Sequence, residues 1–304
     1  MKLLLTGAFK YSNEQLNRLR LFGYDILFIQ DERISLQVDV SDIEAVVCNS
    51  LFENNDIKKF KNLKFIQLTS AGLDRVPLEY IRNRGIKLFN ANGVYSVPMA
   101  EWVMLKILEI YKNSRQFYDA QRENKWEKQR ELLELTDKTA TIIGFGSVGT
   151  EIAKRLKVFG VNVIGVGRRN KAPQDVDEYY LAENIDDVLE KSDIVILTLP
   201  LTDETRHFIN KQSIEKMKDN CVLINVSRGG VIDESALNES LQGNKFLGVA
   251  LDVFEEEPLP ENSFLWNCNK VIITPHNSFV SDKVNERLFE LTVENLNDYL
   301  QNNI

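Results

Sequence analysis

Short apolar runs alternate with polar stretches of helical period through the first third of the chain. Residues 2–6, 24–29, 45–48, 64–68 and 86–89 are short and rich in Leu, Ile, Val and Phe, which predicts buried strands. Between them, residues 13–22, 55–60 and 78–84 repeat apolar positions at helical spacing. A longer helical pattern runs from about 97 to 124. Ser96 is its expected N-cap, and Pro98 suits a first turn, where its missing N–H would be unbonded anyway. Trp102, Val103, Leu105, Ile107, Leu108 and Tyr111 supply its apolar face, and a polar stretch at 122–132 follows. A second alternating series begins at Ala140. It predicts strands at 140–143, 162–166, 194–199, 222–225, 247–251 and 271–274, with helices at 148–159, 185–191, 211–217 and 234–242. The last helical pattern, 283–301, has no strand of its own and is expected to return to the first domain. Strands alternating with helices imply parallel sheets covered on both faces, so the fold class is α/β with two doubly wound parallel-sheet domains.

Composition narrows the choice of partner. A chain of 304 residues has room for two domains, and 43% hydrophobic with 27% charged residues is the balance of a globular protein. Lys and Arg number 37 against 45 Asp and Glu, a net charge of −8, which argues against general binding to nucleic acid or to anionic membranes. Cys48, Cys221 and Cys268 are far apart and form no CxxC pair, so neither a disulfide framework nor a metal site is expected. The opening Leu3-Leu4-Leu5 run is too short for a signal peptide, and no run approaches a bilayer span, so the expected location is cytoplasmic. Any imidazole chemistry falls to His207 or His276, and His207, in Thr205-Arg206-His207-Phe208, reads as a surface-loop residue.

After the predicted strand at 140–143 comes Gly144-Phe145-Gly146-Ser147-Val148-Gly149, and then a helical run. GxGxxG alone is weak evidence, but closing a strand and opening a helix makes it a dinucleotide signature. Gly144 permits the turn, Gly146 lets backbone approach a pyrophosphate, and Gly149 lets helix pack on strand. The helix N-terminus then offers free N–H groups to phosphate. NAD sites carry an Asp or Glu at the end of the next strand, to bond the ribose 2′-hydroxyl. Here that strand ends in Gly167-Arg168-Arg169-Asn170. Two guanidiniums suit a 2′-phosphate, so Arg168 and Arg169 favour NADP, with NAD also possible.

Three later segments each follow a predicted strand: Asn225-Val226-Ser227-Arg228-Gly229-Gly230, Leu251 to Pro258, and Thr274-Pro275-His276-Asn277-Ser278. Ligands of open α/β sheets bind beyond the carboxyl ends of strands. Interconverting an alcohol and a carbonyl needs a group that gives and takes a proton near neutrality, which suits His276. Glu257 would fix the imidazole tautomer, and Arg228 would clamp a substrate carboxylate.

Taken together, the sequence resembles the D-isomer-specific 2-hydroxyacid dehydrogenases, which include glyoxylate/hydroxypyruvate reductases and phosphoglycerate dehydrogenases. Carrying the resemblance are Ser70-Ala71-Gly72-Leu73-Asp74, Arg84-Gly85-Ile86, Ala100-Glu101, the glycine motif, Leu199-Pro200-Leu201-Thr202-Asp203-Glu204-Thr205, Val226-Ser227-Arg228-Gly229, Leu251-Asp252-Val253-Phe254, Glu257-Pro258 and Pro275-His276. It implies a Rossmann cofactor domain, 97–282, inserted into a flavodoxin-like substrate domain, 1–96 plus 283–304. It also implies Arg228, Glu257 and His276 as the catalytic residues, with Arg228 and His276 also touching substrate. Ala71 and Gly72 amides would hold the substrate carboxylate. Ser147 and Val148 would lie over the pyrophosphate, and Leu199, Pro200 and Thr205 along the adenosine. Val226, Ser227, Asp252 and Ser278 would surround the nicotinamide. Family members usually dimerise through the cofactor domains. The sequence departs from the family at Gly167-Arg168-Arg169, where an acid is usual, and at Asn277-Ser278. Leu51, Phe52, Tyr95 and Trp266 are candidates for the substrate pocket.

The expected activity is reduction of a small 2-keto acid, such as glyoxylate or hydroxypyruvate, to its D-2-hydroxy acid. One alternative is a phosphoglycerate dehydrogenase-like NAD enzyme, although no regulatory domain is expected after the last helix. Another is a non-enzymatic nucleotide-sensing protein of the same superfamily, against which the acidic charge weighs.

Overall fold

In a computed structural model, which describes residues 1–168 and 174–301, five short strands near the N-terminus pair in parallel. They are β1 (Lys2–Thr6), β2 (Asp25–Ile29), β3 (Ala45–Cys48), β4 (Phe65–Leu68) and β5 (Lys87–Phe89), in the order β2-β1-β3-β4-β5. Residues 1–95 and 281–301 form one compact unit and Ser96–Val280 another. Helix α1 (Asn13–Leu21) opens with a reciprocal cap. The Ser12 side chain accepts from the Gln15 N–H at 3.2 Å, and the Gln15 side chain accepts from the Ser12 N–H at 2.9 Å.

The helix expected at 55–60 is absent. Helix α2 (Leu51–Asn54) ends before it, and a 3-10 turn occupies Ile57–Lys59. Asn55 adopts extended backbone, and its amide donates to the carbonyls of Glu32, Ile34 and Leu51, so it ties the chain down where a helix would have run on. Helix α3 (Leu78–Asn83) lies as expected.

A buried carboxylate organises the carboxyl end of this sheet between β1 and β3. Glu32, 5% exposed, accepts from Thr6 Oγ1 at 2.6 Å, from the N–H groups of Asn49 and Ser50 at 3.1 and 2.6 Å, and from Ser50 Oγ at 3.1 Å. Leu51, directly beyond, is fully buried in the core, which corrects its expected place along a pocket.

The second unit opens with α4 (Ser96–Tyr111) and α5 (Ser114–Arg122), which replace the single helix expected over 97–124. Asn113 takes a left-handed φ of 49° and breaks the run. Ser96 is the first residue of α4 rather than a cap preceding it. Then follow β6 (Thr139–Ile143), α6 (Ser147–Val158), β7 (Asn162–Gly167), β8 (Glu178–Leu181), α7 (Ile185–Leu189), β9 (Ile194–Leu197), α8 (Lys211–Lys216), β10 (Cys221–Asn225), α9 (Glu234–Gln242), β11 (Phe246–Leu251) and β12 (Val271–Ile273). The strands are parallel, in the order β12-β11-β10-β9-β6-β7-β8. The order reverses between β6 and β9, the kind of crevice at which doubly wound sheets bind nucleotides.

Strand β8 escaped the pattern because it is an edge strand bonded only to β7, and its Glu-Tyr-Tyr-Leu sequence has no fully buried position. The inner strands are buried on both faces. Ile194 and Ile196 join one apolar cluster while Val195 and Leu197 join another, which is why β9 reads as an unbroken apolar run. Each such side chain contributes roughly 1.5–3 kcal/mol on burial.

Helix α10 (Val284–Gln301) closes the chain and packs on the first sheet. Leu288, Phe289, Val293 and Leu296 share a core with Leu3, Leu5 and Phe65, and Tyr24 Oη donates to the Leu296 carbonyl at 3.0 Å. The three cysteines are free and buried, and burial pushes the Cys221 thiol up to about 12. Among the described residues no helix is long and apolar enough to cross a membrane, and no cluster of three metal-ligating side chains forms.

Candidate active site

Strand β6 delivers the chain into Gly144 with φ +93°, a conformation that glycine alone adopts readily. An added Cβ there would lie 2.5 Å from the Leu199 Cα, so the turn also needs the missing side chain to pass beneath the loop after β9. The Gly144 and Phe145 N–H groups donate to the Val166 carbonyl at 2.9 and 3.1 Å, which fastens the turn to β7. At Gly149 a Cβ would meet Ile142 Cγ2 at 3.1 Å, the close helix–strand approach expected of it. Gly146 has open space above it and caps α6 in extended conformation, with no side-chain cap bond. Among the described residues the N–H groups of Gly146, Val148 and Gly149 have no protein acceptor. A strained glycine turn presenting unpaired amides at a 12-residue helix fits a pyrophosphate. Ser147 and Val148 open that helix, and Val148 also packs against the core beneath it.

Strand β7 ends at Gly167, and Arg168 follows as an exposed residue with no acid at the strand end. Arg169 lies outside the described residues. Leu199 is buried under the glycine turn. Thr205 closes the loop after β9. Its hydroxyl donates to the Pro200 carbonyl at 2.6 Å and accepts from the Thr202 N–H at 2.7 Å.

The carboxyl ends of β11 and β12 bring His276 and Glu257 together, and the loop after β10 carries Arg228 beside them. His276 Nδ1 lies 2.8 Å from Glu257 Oε2, with both side chains a little over one-third exposed. The other Glu257 oxygen accepts from the Phe254 N–H at 3.0 Å. An ionised carboxylate only accepts, so it holds the ring proton on Nδ1 and leaves Nε2 for exchange. The loop carrying Arg228 touches the same loop. A Cβ on Gly229 would overlap the Phe254 carbonyl, so only glycine lets the two backbones meet. Arg228 is half-buried, and its Nη1 donates to the Ser227 carbonyl at 2.8 Å.

Buried polar groups hold this arrangement. Asp252, fully enclosed, accepts from Thr274 Oγ1 at 2.5 Å and from the N–H groups of Asn277 and Ser278 at 2.8 and 2.9 Å. It thereby shapes the turn that gives His276 a left-handed φ of 51°. Among the described residues one Asp252 oxygen has two donors and the other has one. Ser278 and Val226 are buried beside it. Asn225 Oδ1 accepts from the N–H and hydroxyl of Ser227, while its amide donates to the Arg228 carbonyl at 3.0 Å.

His207 has more company than a surface loop suggests. Its Nε2 lies 3.0 Å from Glu255 Oε1, at ion-pair distance without hydrogen-bond alignment. Glu255 and Glu234 in turn exchange backbone-to-carboxylate bonds of 2.6 and 3.1 Å. Half-buried and facing Glu255 and Glu256, Glu234 has its carboxyl raised above the usual range, chiefly by burial.

In the first unit, the turn after β4 presents Ala71 and Gly72. Their carbonyls accept from Asn90 Nδ2 at 2.6 Å and Ser70 Oγ at 3.0 Å. Among the described residues neither N–H has a protein acceptor, which suits amides that hold a carboxylate. Asn225, Thr274, Glu234 and Glu255 escaped the sequence reading. Their signal is only a polar residue at a strand end, which many loops share.

Comparisons with known proteins agree on one family. A family model described as D-isomer specific 2-hydroxyacid dehydrogenase, NAD binding domain, matches residues 104–278. A hydroxypyruvate reductase from Thermotoga maritima is 35% identical over 251 residues, covering 81% of each chain. A D-3-phosphoglycerate dehydrogenase from Methanocaldococcus jannaschii is 33% identical over 274 residues, 89% of this chain, but this chain spans only 52% of that protein's length. Among solved structures, a D-isomer specific 2-hydroxyacid dehydrogenase from Xanthobacter autotrophicus, crystallised with NADPH and MES, superposes with a TM-score of 0.80 at 26% identity, covering 97% of this chain and 93% of that one.

Proposed function

Because the chain belongs to the D-isomer specific 2-hydroxyacid dehydrogenase family, we propose that it uses NADPH to reduce a small 2-keto acid, glyoxylate or hydroxypyruvate, to the corresponding 2-hydroxy acid. The bound nicotinamide supplies the hydride; the chain supplies the proton and the electrostatics. His276 gives its Nε2 proton to the developing alkoxide, and in the reverse direction takes it from the alcohol. Glu257 holds the ring and stabilises the imidazolium. Arg228 clamps the substrate carboxylate and polarises the neighbouring carbonyl. Ala71 and Gly72, whose N–H groups have no protein acceptor among the described residues, are assigned to a substrate carboxylate through the resemblance.

The observation that carries this reading is the His276–Glu257 pair at 2.8 Å, on loops that follow β11 and β12. Preference for NADPH draws on Arg168 and on the missing acid at the end of β7. The phosphoglycerate dehydrogenase relative favours a second reading, an NAD enzyme acting on a phosphorylated substrate. A panel of small 2-keto acids, each assayed with NADPH and NADH, decides between them. The expected result is fastest turnover of glyoxylate or hydroxypyruvate with NADPH. Turnover confined to a phosphorylated keto acid with NADH would replace the first reading by the second. Tight dinucleotide binding with no turnover on any substrate would favour a sensor.

The proposal includes a homodimer formed through the second unit. No residue of α5 is buried, and the arm after it leaves Trp126 93% exposed, with Leu132 and Leu133 also exposed. So much unpartnered apolar surface suits a second copy. Sedimentation velocity is expected to show a dimer that Trp126→Asp shifts to monomer. A wild-type monomer would remove this part of the proposal.

A further inference from the structure

We infer that Tyr179 is a cofactor-selecting residue: it closes the end of β7 to a carboxylate and offers its hydroxyl to a 2′-phosphate. This rests on the dinucleotide-binding reading of the second unit and extends it to a residue on an edge strand that the glycine motif does not include.

The starting point is a groove. Gly165 and Gly167 alternate along β7, so both lack a side chain on the same face of the sheet. A Cβ on Gly165 would lie 3.0 Å from Phe145 Cδ2, 3.0 Å from Tyr179 Cδ2 and 3.1 Å from Val176 Cγ1. Phe145, from the glycine turn, and Tyr179, from β8, therefore both lie over the bare strand. In the ladder Tyr179 stands opposite Gly165. Its ring reaches two residues forward, since a Cβ on Gly167 would overlap the Tyr179 hydroxyl and lie 3.3 Å from Cζ. The phenol oxygen thus ends at the carboxyl end of β7, beside Gly167 and next to Arg168.

Two consequences follow. An acid at 167, where a 2′-hydroxyl would be read, would bring its Cβ into overlap with the Tyr179 hydroxyl, so the ring must shift to admit it. Meanwhile Tyr179 is half-buried, and its hydroxyl has no protein partner among the described residues. A phenol O–H bonds a phosphate oxygen about twice as strongly as a neutral hydroxyl, so the same group that excludes the acid favours the phosphorylated ribose.

The test is equilibrium binding without substrate, by fluorescence titration of NADPH and NADH. Tyr179→Phe is expected to weaken NADPH about tenfold and to change NADH less than about twofold, from the loss of one charge-assisted bond. Gly167→Asp with Tyr179 intact is expected to weaken both cofactors. Adding Tyr179→Ala to it is expected to restore NADH binding but not NADPH binding. A wild type that prefers NADPH, with both constants unmoved in Tyr179→Phe, overturns the role of Tyr179 and leaves the NADPH reading standing. A wild type that binds NADH at least as tightly as NADPH overturns both. Should Gly167→Asp alone accept NADH as well as the double variant does, the exclusion argument is lost.

Discussion

Replacing His276 with alanine is expected to slow keto-acid reduction about a thousandfold, within the roughly 10²–10⁴ that a positioned general acid supplies. Dinucleotide affinity should stay within about twofold, because the ring bonds Glu257 and belongs to none of the groups assigned to phosphate or ribose. His276 already bears the left-handed cost of any residue with a Cβ, and alanine lacks the side-chain polarity that eases it. His276→Asn tolerates that conformation better and controls for it. Steady-state rates and a fluorescence titration on both variants separate the two effects. Wild-type turnover in either variant would remove His276 as the acid. Loss of rate in alanine alone would assign the effect to the backbone.

Gly229→Ala should be nearly as damaging, although it removes nothing chemical. Its Cβ would overlap the Phe254 carbonyl, so the Arg228 and Glu257 loops must separate. Phe254 also supplies the N–H that holds Glu257 Oε1. A displacement of about 1 Å at a reacting centre costs about a hundredfold, and this one is expected to lower kcat by at least that much. The melting temperature should fall as well. Kinetics and a thermal melt check both. An alanine variant with full activity would show that the two loops need not touch.

Much of this molecule was legible as pattern. Residues 194–199 and 222–225 read as strands because both faces of the inner sheet are buried. Gly144 to Gly149 could be placed because the motif sits between a strand and a helix. Arg228, Glu257 and His276 could be nominated because each follows a strand, but the meeting of His276 with Glu257 depends on strand order. Adjacency of β10, β11 and β12 is a three-dimensional fact with no local signature. The break at Asn113 stayed hidden because the apolar spacing continues through it, while a single left-handed residue interrupts the backbone. Tyr179 drew no notice because it lies on a strand the pattern missed. Its reach to Gly167 follows from the register of β7 with β8, which no periodicity encodes.

The four donors gathered by Glu32 bear on engineering. Anyone redesigning the stretch from Asn49 to Phe52 would be editing a segment whose amides are moored to a distant acidic side chain. Swapping in a loop from a cousin without that mooring strands two N–H groups indoors. A successful graft therefore carries its own residue 32 along with it.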